Sequence, residues 1–475
     1  MLPRLKPQQF YDLVIEVAIV RPGPIQGDMV HPYLRRRQGI EEVTYPSEGV
    51  RRVLERTLGV PIFQEQVMQL AMVAAGFSGG EADQLRRAMA AWKRKGGLEP
   101  YRDKLVRGML ERGYEQDFAE QLFRQIKGFG DYGFPESHSA SFALIAYVSS
   151  WFKYYHPAAF CCALLNSQPM GFYAPAQLIK DARHHGVIIH PVDVNASHHD
   201  CTLEFGEHYD KAESPCHQQT TAQLRSGFRL VKGLSETGAE SIVAARQEGE
   251  FGTVQELVFR SGINRGDLEA LAAADALRGL AGDRHRAFWQ ASGTEPKRGR
   301  RHFSQKNVSD PFLALSFFSD PDFDNDFGTD VLLPVASEGQ NIVGDYTATG
   351  YTLRRHPLAL FRPHLDNYEV LKASELNDVE NEMNAKITGI VTCRQRPMTA
   401  AGVTFLTLED ESGFVNVVVW PSLGEKRRPV VRQAMLMGVT GHVQKSEGVI
   451  HLIARELVDL SHWLGTMEIS SRDFT

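Results

Sequence analysis

At 475 residues, the chain is long enough for about three domains, each with its own core. A hydrophobic share of 43% and a charged share of 23% are typical of an ordinary soluble globular protein rather than of a disordered or fibrous one. The formal net charge of −6 excludes a uniformly basic surface, so any contact with nucleic acid must come from local patches.

A membrane or secreted protein is also excluded by local patterns. The longest mostly apolar run, Ala140 to Phe152, is shorter than the roughly 18 residues that a membrane helix needs. The first residues lack the apolar core and cleavage site of a secretory signal. Five cysteines form no paired framework, which suits a reducing compartment. We therefore expect a cytoplasmic protein with no membrane contact.

The N-terminal third is predicted to be helical. Apolar residues at helical spacing predict a helix over Gln64 to Ala75. Ser78 and Glu81 fit a capping box, in which each side chain bonds a backbone N–H of the other residue, and this pattern predicts the start of a second helix. Arg86 and Arg87 are therefore expected to lie within an ordered helix.

Two further segments complete this third. The basic, glycine-rich stretch Trp92 to Gly97 is expected to end the second helix in a loop, after which helical periodicity continues to about Ile126. Ala140 to Leu165 is apolar on nearly every face, which predicts a buried helix.

The C-terminal two thirds fall into four stretches. Residues 168–225 break into short pieces rich in His and Pro, and residues 228–289 are again helical, with short glycine turns. Residues 291–335 change from basic to acidic and are typical of a linker. Residues 385–460 alternate with a period of two, which predicts an all-β module of about five strands with one helix near residues 427–434.

Two arrangements of ligand-type residues are rejected as metal sites. Asp320, Asp322, Asp324 and Asp326 alternate, but Phe327 and Leu333 stand where a calcium-binding EF-hand loop needs Gly and Glu. A second group matches no standard zinc spacing: it comprises His198, His199, Cys201, Cys216 and His217. We expect no metal site in the chain.

The paired arginines are the first candidate for ligand binding. Adjacent guanidinium groups on a helix can donate bidentate hydrogen bonds to the phosphates of a nucleotide. Taken alone, however, a double Arg is more often a solvated face. Downstream, the stretch Tyr132 to Ser139 is expected to be a loop whose small and polar residues can face a ligand. Without further context, His138 would be a loop-packing residue.

An ordered set of motifs decides between these alternatives. It comprises Gln64-Glu65-Gln66-Val67-Met68-Gln69, Leu85-Arg86-Arg87-Ala88-Met89, Tyr132-Gly133-Phe134 and Ser137-His138-Ser139-Ala140, preceded by Arg21-Pro22-Gly23-Pro24. The set resembles the fingers domain of the bacterial C-family DNA polymerases, the family of the polymerase III alpha subunit. The resemblance implies that Arg86 and Arg87 bind the incoming nucleotide together with Ser137, His138 and Ser139. Lys93, Arg94 and Lys95 would extend the contact to DNA, although a mobile surface loop is an equal alternative.

Two downstream modules carry further resemblances. Residues 228–289 resemble tandem helix-hairpin-helix motifs, whose Gly-hydrophobic-Gly turn offers backbone N–H groups to a DNA phosphate. Lys232 and Gly233 are the candidate contacts, but Ser235 replaces the last Gly of the turn and weakens the expectation of phosphate binding. A purely packing role is the alternative.

The period-two region looks like an OB-fold, a barrel that binds single-stranded nucleic acid through aromatic platforms beside a basic groove. Five residues are expected to contact a single-stranded template there: Arg394, Arg396, Phe405, Trp420 and Lys445. Taken alone, Phe405 and Trp420 would more often be core residues.

A last group of motifs looks specifically like the error-prone branch of this family. The group comprises Asp345-Tyr346-Thr349-Gly350, His356-Pro357, Arg394-Gln395-Arg396-Pro397, Leu408-Glu409-Asp410-Glu411 and Ser471-Arg472-Asp473-Phe474. That branch is implicated in translesion synthesis induced by DNA damage, with accessory mutasome partners.

The expected fold class is therefore multidomain α+β, with a helical fingers region, tandem helix-hairpin-helix motifs and a C-terminal OB-fold. The expected domains are 1–165 (end of the palm and fingers), 166–227 (fingers tail and connector), 228–290 (helix-hairpin-helix), 291–383 (linker and connector), 384–460 (OB-fold) and 461–475 (tail).

The resemblance implies a DNA-directed DNA polymerase acting on a primer-template and deoxynucleoside triphosphates. Two Mg²⁺ ions, held by palm aspartates, would stabilise the attacking and leaving oxygens. Asp12 and Asp28 are the only aspartates before the fingers motifs, and neither has the paired arrangement. We therefore expect no catalytic residue in this chain, and a truncated protein that is inactive alone. The alternative is a non-catalytic DNA-binding protein that retains the fingers, helix-hairpin-helix and OB modules.

Overall fold

A computed structural model describes most of the chain, in two compact units, Met1–Phe152 and Lys153–Thr475. The described residues are 2–20, 30–95, 99–128, 135–170, 173–205, 222–294, 333–397, 400–446, 448–465 and 472–474.

The first unit is built from helices around one apolar core. The buried faces of these helices include the large side chains of Tyr33, Phe63 and Leu70, each at most 1% exposed. In the described residues the main helices are Phe10–Ile19, Val30–Arg37, Glu48–Leu54, Gln64–Ala75, Gly79–Lys95, Glu99–Leu110, Gln116–Gly128 and Glu136–Tyr155.

The predicted capping box is confirmed. The Ser78 backbone N–H donates to Glu81 Oε2 at 2.9 Å, and the Glu81 N–H donates to Ser78 Oγ at 3.3 Å. These bonds satisfy N–H groups that the first turn of a helix cannot pair internally. The helix then continues to Lys95, so the prediction that it ends in a loop at Trp92 was wrong.

The prediction of one buried helix over Ala140 to Leu165 was also wrong. The chain forms the helix Glu136–Tyr155, breaks at His156 and resumes as Pro157–Asn166, where Pro157 takes the first helical position that suits its fixed φ. Ala143 is fully buried, but many large apolar side chains of the first helix are exposed. These are Phe142, Leu144, Ile145, Tyr147, Val148, Trp151, Phe152, Tyr154 and Tyr155.

The second unit begins with helices and a small sheet. The helices Pro157–Asn166 and Pro175–His184 pack beside strands β1 (Ile189–His190), β2 (Thr202–Phe205) and β3 (Ala222–Arg225), in the order β1-β3-β2. A helical region follows, with helices Glu236–Arg246, Val254–Ser261, Arg265–Ala273, Arg278–Ala281 and Arg284–Gly293, and then Glu338–Thr349 and Pro357–Asp366. Gly262 ends one of these helices in the left-handed conformation, with φ of 65°.

A closed five-stranded barrel forms the next part of this unit. Its strands are β4 (Asn384–Gln395), β5 (Thr404–Glu409), β6 (Phe414–Val419), β7 (Leu436–Ser446) and β8 (Val449–Asp459). The order β5-β6-β8-β7-β4 closes because β4 also pairs with β5, and β6 pairs with β8 in parallel. Short helices Pro421–Lys426 and Arg428–Gln433 connect β6 to β7, and β9 (Arg472–Phe474) runs parallel to the end of β4.

These elements confirm the predicted multidomain α+β class: a helical first unit, a second helical region over residues 236–293 and a C-terminal five-stranded barrel. Within the described ranges, no helix is both long enough and apolar enough to cross a bilayer.

Candidate nucleotide and nucleic-acid interface

The helix Gly79–Lys95, here called the arginine helix, places two guanidinium groups around one carboxylate. Arg86 Nε and Arg87 Nε each lie 2.8 Å from a different oxygen of Asp83. Both bonds follow from the i, i+3 and i, i+4 spacing of a helix. The hydrogen bond from Arg86 holds the pKa of Asp83 below its usual value. The side chain of Arg87 is 73% exposed, so the cluster presents a net positive charge to solvent.

The basic residues Lys93, Arg94 and Lys95 follow on the same helix. Their backbone continues the helix to Lys95, while their side chains lie outside the part that the structure describes. Their contact with DNA stays a prediction.

The helix Glu136–Tyr155, here called the His138 helix, is fixed at its start by residues far away in sequence. The Glu136 N–H donates to Glu65 Oε2 at 2.9 Å, and the Tyr11 hydroxyl donates to Glu136 Oε1 at 2.6 Å. Burial, together with the bond to Glu136, raises the pKa of Tyr11. The Arg56 guanidinium lies 3.8 Å above the Tyr11 ring. Sequence reasoning missed Tyr11 and Glu136, and no local signal marks either of them.

The predicted Ser-His-Ser site lies in the first turn of this helix, not in a loop. Ser137 is exposed, and His138 is partly exposed with its ring 4.7 Å from the Phe142 ring. Ser139 is fully buried and its hydroxyl donates to the Val14 carbonyl. Ser139 therefore holds the helix against its neighbour, whereas Ser137 and His138 face outward.

One core positions both helices of the proposed nucleotide surface. Leu85 and Met89 from the arginine helix and Ala143 from the His138 helix belong to the same buried cluster. Gln66 fastens the core segment before them, because its amide makes four hydrogen bonds in the interior. Glu65 and Gln66 of the Gln64 to Gln69 motif thus hold neighbouring segments of the unit together through hydrogen bonds.

The described residues do not fit a pair of magnesium ions. Asp12 is buried, and its carboxylate accepts from Arg37 at 2.6 and 2.9 Å and from the Gln8 and Gln9 N–H groups. Burial would raise the pKa of Asp12, but these hydrogen bonds lower it overall. The carboxylate is therefore committed to the fold, and Asp28 and the Arg21 to Pro24 motif lie outside the described residues.

The first helix-hairpin-helix turn is bonded to a carboxylate of the chain itself. Gly233 takes a φ of 87°, as such a turn requires. The Ser235 N–H and Oγ, however, both donate to the Asp267 carboxylate, at 2.8 and 3.0 Å, and the Lys232 N–H donates to Ala348 O at 2.8 Å. Asp267 is 3% exposed, so the turn is closed from within, and contact of Lys232 and Gly233 with DNA stays a prediction.

The OB barrel exposes two aromatic rings on one face. Strand alternation turns Leu406 and Val417 into the barrel, so Phe405 projects from the outer face of β5. Trp420 directly follows the neighbouring strand β6 and has the outward parity of that strand. Phe405 is 36% exposed and Trp420 is 52% exposed. The alternative that both are core residues is excluded, and this is the face that OB-folds use for oligonucleotides.

The predicted basic residues of the barrel differ in their roles. Arg394 donates through Nε to Val431 O at 2.8 Å and through Nη2 to Ala434 O, so it fastens the helix Arg428–Gln433 to β4. Arg396 is half exposed and lies 3.5 Å from Glu425. Lys445 donates to Asn377 O at 2.6 Å, beside the β7–β8 turn.

The motifs of the error-prone branch converge on polar contacts of the second unit. Asp345 pairs with Arg284 at 2.5 Å and with Arg354 at 3.3 Å. Glu409 accepts from Lys180 at 2.7 Å and lies 3.6 Å from His356. Asp345, His356 and Glu409 thus join the helices, the connector and the barrel, while Ser471 of the last motif lies outside the described residues.

Cys201, one of the residues considered for zinc, is a buried thiol. Its sulfur accepts from the Gly227 N–H at 3.3 Å, and burial raises its pKa to about 11. Cys216, His217 and the run of four aspartates lie outside the described residues.

Comparison with known families agrees with this order of modules. The model of the bacterial DNA polymerase III alpha subunit finger domain matches residues 1–113, that of the helix-hairpin-helix motif matches residues 186–287, and that of the OB-fold nucleic acid binding domain matches residues 385–460. The fold and these matches indicate a protein that shares its modules with the bacterial DNA polymerase III alpha subunit.

Relatives place the chain more narrowly. An error-prone DNA polymerase of Methylococcus capsulatus is 55% identical over 481 residues, covering all of this chain and 44% of the relative. Those of Alkalilimnicola ehrlichii and Pseudomonas savastanoi pv. phaseolicola are 55% and 51% identical, each covering all of this chain and 43% of the relative. The chain belongs to the error-prone DNA polymerase family and spans less than half the length of these relatives.

Proposed function

We propose that this chain supplies the nucleotide-positioning and template-binding part of an error-prone DNA polymerase that synthesises across damaged template during DNA repair and induced mutagenesis. The observation that carries the proposal is the order of fingers, helix-hairpin-helix and OB modules in a chain that matches error-prone polymerases along its whole length. The substrates would be a primer-template and deoxynucleoside triphosphates in the bacterial cytoplasm, and the partners would include mutasome accessory proteins.

The arginine helix would hold the triphosphate. Asp83 fixes both guanidiniums through their Nε atoms, which reduces the entropy lost when an anion binds to them. Ser137 and His138 would add polar contacts to the nucleotide or the template.

Nucleotide binding tests this part of the proposal. Arg86→Ala and Arg87→Ala should each weaken binding of a fluorescent deoxynucleoside triphosphate by about tenfold or more, since a hydrogen bond to a charged group contributes about 1.5–3 kcal/mol. Arg52→Ala is the matched control, because Arg52 is also an exposed helical arginine with a carboxylate four residues away. An equal loss in the Arg52 variant would contradict the assignment.

The OB face would hold the single-stranded template by stacking bases on Phe405 and Trp420. Trp420→Ala should weaken binding of an oligo(dT) strand by about fivefold to 150-fold, since stacking on an aromatic side chain contributes about 1–3 kcal/mol per base. Trp289→Ala removes an equally exposed indole from another part of the chain and should leave binding unchanged. Equal affinities for the Trp420 variant and the unmodified chain would refute the stacking role.

Carboxylates for Mg²⁺ would come from the part of the relatives' length that this chain does not match. We therefore predict that the purified chain binds DNA but does not extend a primer on a damaged template in the presence of magnesium. This outcome also accommodates the alternative of a non-catalytic DNA-binding protein, which needs no nucleotide site. Loss of nucleotide binding in the Arg86 variant would favour the polymerase, and robust primer extension would overturn the prediction of inactivity.

A further inference from the structure

The OB barrel carries a cavity of about 370 Å³ whose walls are rich in arginine. The end of β4, the start of β5 and the two short helices after β6 form its walls. Arg394, Arg396, Arg428 and Arg432 line it, and Glu425 is the acidic residue of the lining. The volume lies at the lower end of the range for ligand pockets, about 300–1,000 Å³, which suits a group the size of one nucleotide.

Two of the arginines that line this cavity repel each other. Arg428 and Arg432 are four residues apart on one short helix, so their side chains share a face. Like charges at this spacing repel each other and destabilise a helix. Both side chains are exposed, whereas Glu425 lies 3.5 Å from Arg396. An anion in the cavity would relieve this repulsion.

Arg394 holds the cavity open in a fixed shape. Its guanidinium bonds the carbonyls of Val431 and Ala434, which lie at the end of the same short helix. The wall that carries Arg428 and Arg432 is thereby tied to β4 before any ligand arrives. Such preorganisation reduces the cost of binding.

The cavity borders the aromatic face. Gln395, which lines the cavity, pairs across the strands with Phe405, and Trp420 directly precedes Pro421, another lining residue. A strand whose bases stack on Phe405 and Trp420 would therefore bring a phosphate of its backbone to the arginines.

We propose that Arg396, Arg428 and Arg432 form a binding pocket for a backbone phosphate of the single-stranded DNA that stacks on Phe405 and Trp420. The proposal rests on the OB face binding single-stranded template. The helix Arg428–Gln433 would supply two arginines of this phosphate site. Arg394 would have the separate role of positioning that helix.

Salt dependence of binding tests the pocket. The affinity of the full chain for oligo(dT) is measured between 50 and 200 mM NaCl, where each phosphate neutralised on a single strand contributes about 0.7 to the slope of log K against log salt. Because the pocket holds one phosphate, Arg428→Ala and Arg432→Ala should each lower the magnitude of that slope by up to about 0.7. Arg432→Lys keeps the charge and should keep the slope. Arg427→Ala removes a neighbouring exposed charge that does not line the cavity, and it should change neither slope nor fold.

The outcomes separate this proposal from the one on which it rests. Unchanged slopes in Arg428→Ala and Arg432→Ala, combined with weaker binding by Trp420→Ala, would overturn the pocket and leave the stacking face intact. Failure of the unmodified chain to bind oligo(dT) would overturn both. Inorganic pyrophosphate and a free deoxynucleoside triphosphate are tested in parallel. If either binds with the same arginine dependence while the DNA slope stays unchanged, the pocket serves a free phosphate and the DNA assignment fails.

Discussion

Replacement of Gln66 by Leu should destabilise the first unit more than any surface change on the same helix. Gln66 is 6% exposed; its Oε1 accepts from the Ile62 and Phe63 N–H groups at 2.9 and 3.1 Å, and its Nε2 donates to Val53 O and Thr57 Oγ1 at 3.1 and 2.9 Å. Leu fills a similar volume but removes all four bonds. Two backbone N–H groups and one carbonyl are left without them, whereas the Thr57 hydroxyl still donates to Leu54 O at 3.3 Å.

The expected magnitude follows from those three groups. A buried polar group without a partner costs about 1–3 kcal/mol, and the low end applies here because Leu also removes a polar side chain from the interior. The expected loss is about 3 kcal/mol. Since each 1.4 kcal/mol is a factor of ten, amides that exchange through unfolding of this unit should exchange roughly 100-fold faster.

Hydrogen exchange followed by mass spectrometry measures the exchange rates of amides in the first unit separately from those in the second unit. The matched control is Gln69→Leu, because Gln69 lies on the same helix and is exposed. It should change the free energy of unfolding by no more than about 0.5 kcal/mol. Equal exchange rates in the Gln66 and Gln69 variants would refute the reasoning.

Three further predictions concern packing, acid stability and thiol reactivity. Gly108→Ala should destabilise the first unit by about 1–3 kcal/mol in thermal unfolding, because its Cβ would lie 2.2 Å from Ala75 O, whereas Gly80→Ala meets no atom within 4 Å and should be tolerated. Burial would raise the pKa of Glu409, but the interactions of Glu409 with His356 and Lys180 lower this pKa overall. The ionised Glu409 therefore stabilises the fold above the unfolded pKa of about 4.3, and this stabilisation is lost as pH falls through the folded pKa. Glu409→Gln should flatten that acid limb of a stability curve, and an unchanged limb would contradict the assignment. Cys201 should react with iodoacetamide at neutral pH only after unfolding, since burial raises its pKa to about 11, and rapid labelling of the native chain would refute this.

Sequence patterns predicted correctly those elements that depend on residues close together in the chain. The Ser78 capping box and the alternation that encloses the barrel core follow from residues a few positions apart, and the structure confirms both. The continuation of the arginine helix to Lys95 was missed, because a basic run next to glycines has no strong preference for loop over helix.

Features that depend on distant residues could not be predicted from sequence. The apolar composition of the His138 helix predicted burial, but composition cannot tell which neighbours are present to cover it, and much of its apolar surface is exposed among the described residues. Ser139 and Arg394 were predicted to contact ligands, yet their bonds to Val14 O and Val431 O depend on pairings across 125 and 37 residues. Such pairings leave no periodic signal in the chain.

The carboxylate of Asp267 in the first hairpin turn has a consequence for the anions that this turn can accept. A turn that bonds its own anion serves as a rigid strut between helices and repels a second negative group. A phosphate that approached the Ser235 N–H would meet a carboxylate that is 3% exposed and already accepts two bonds from Ser235. The bonds that fix the turn are therefore the same bonds that keep an outside anion from its N–H groups.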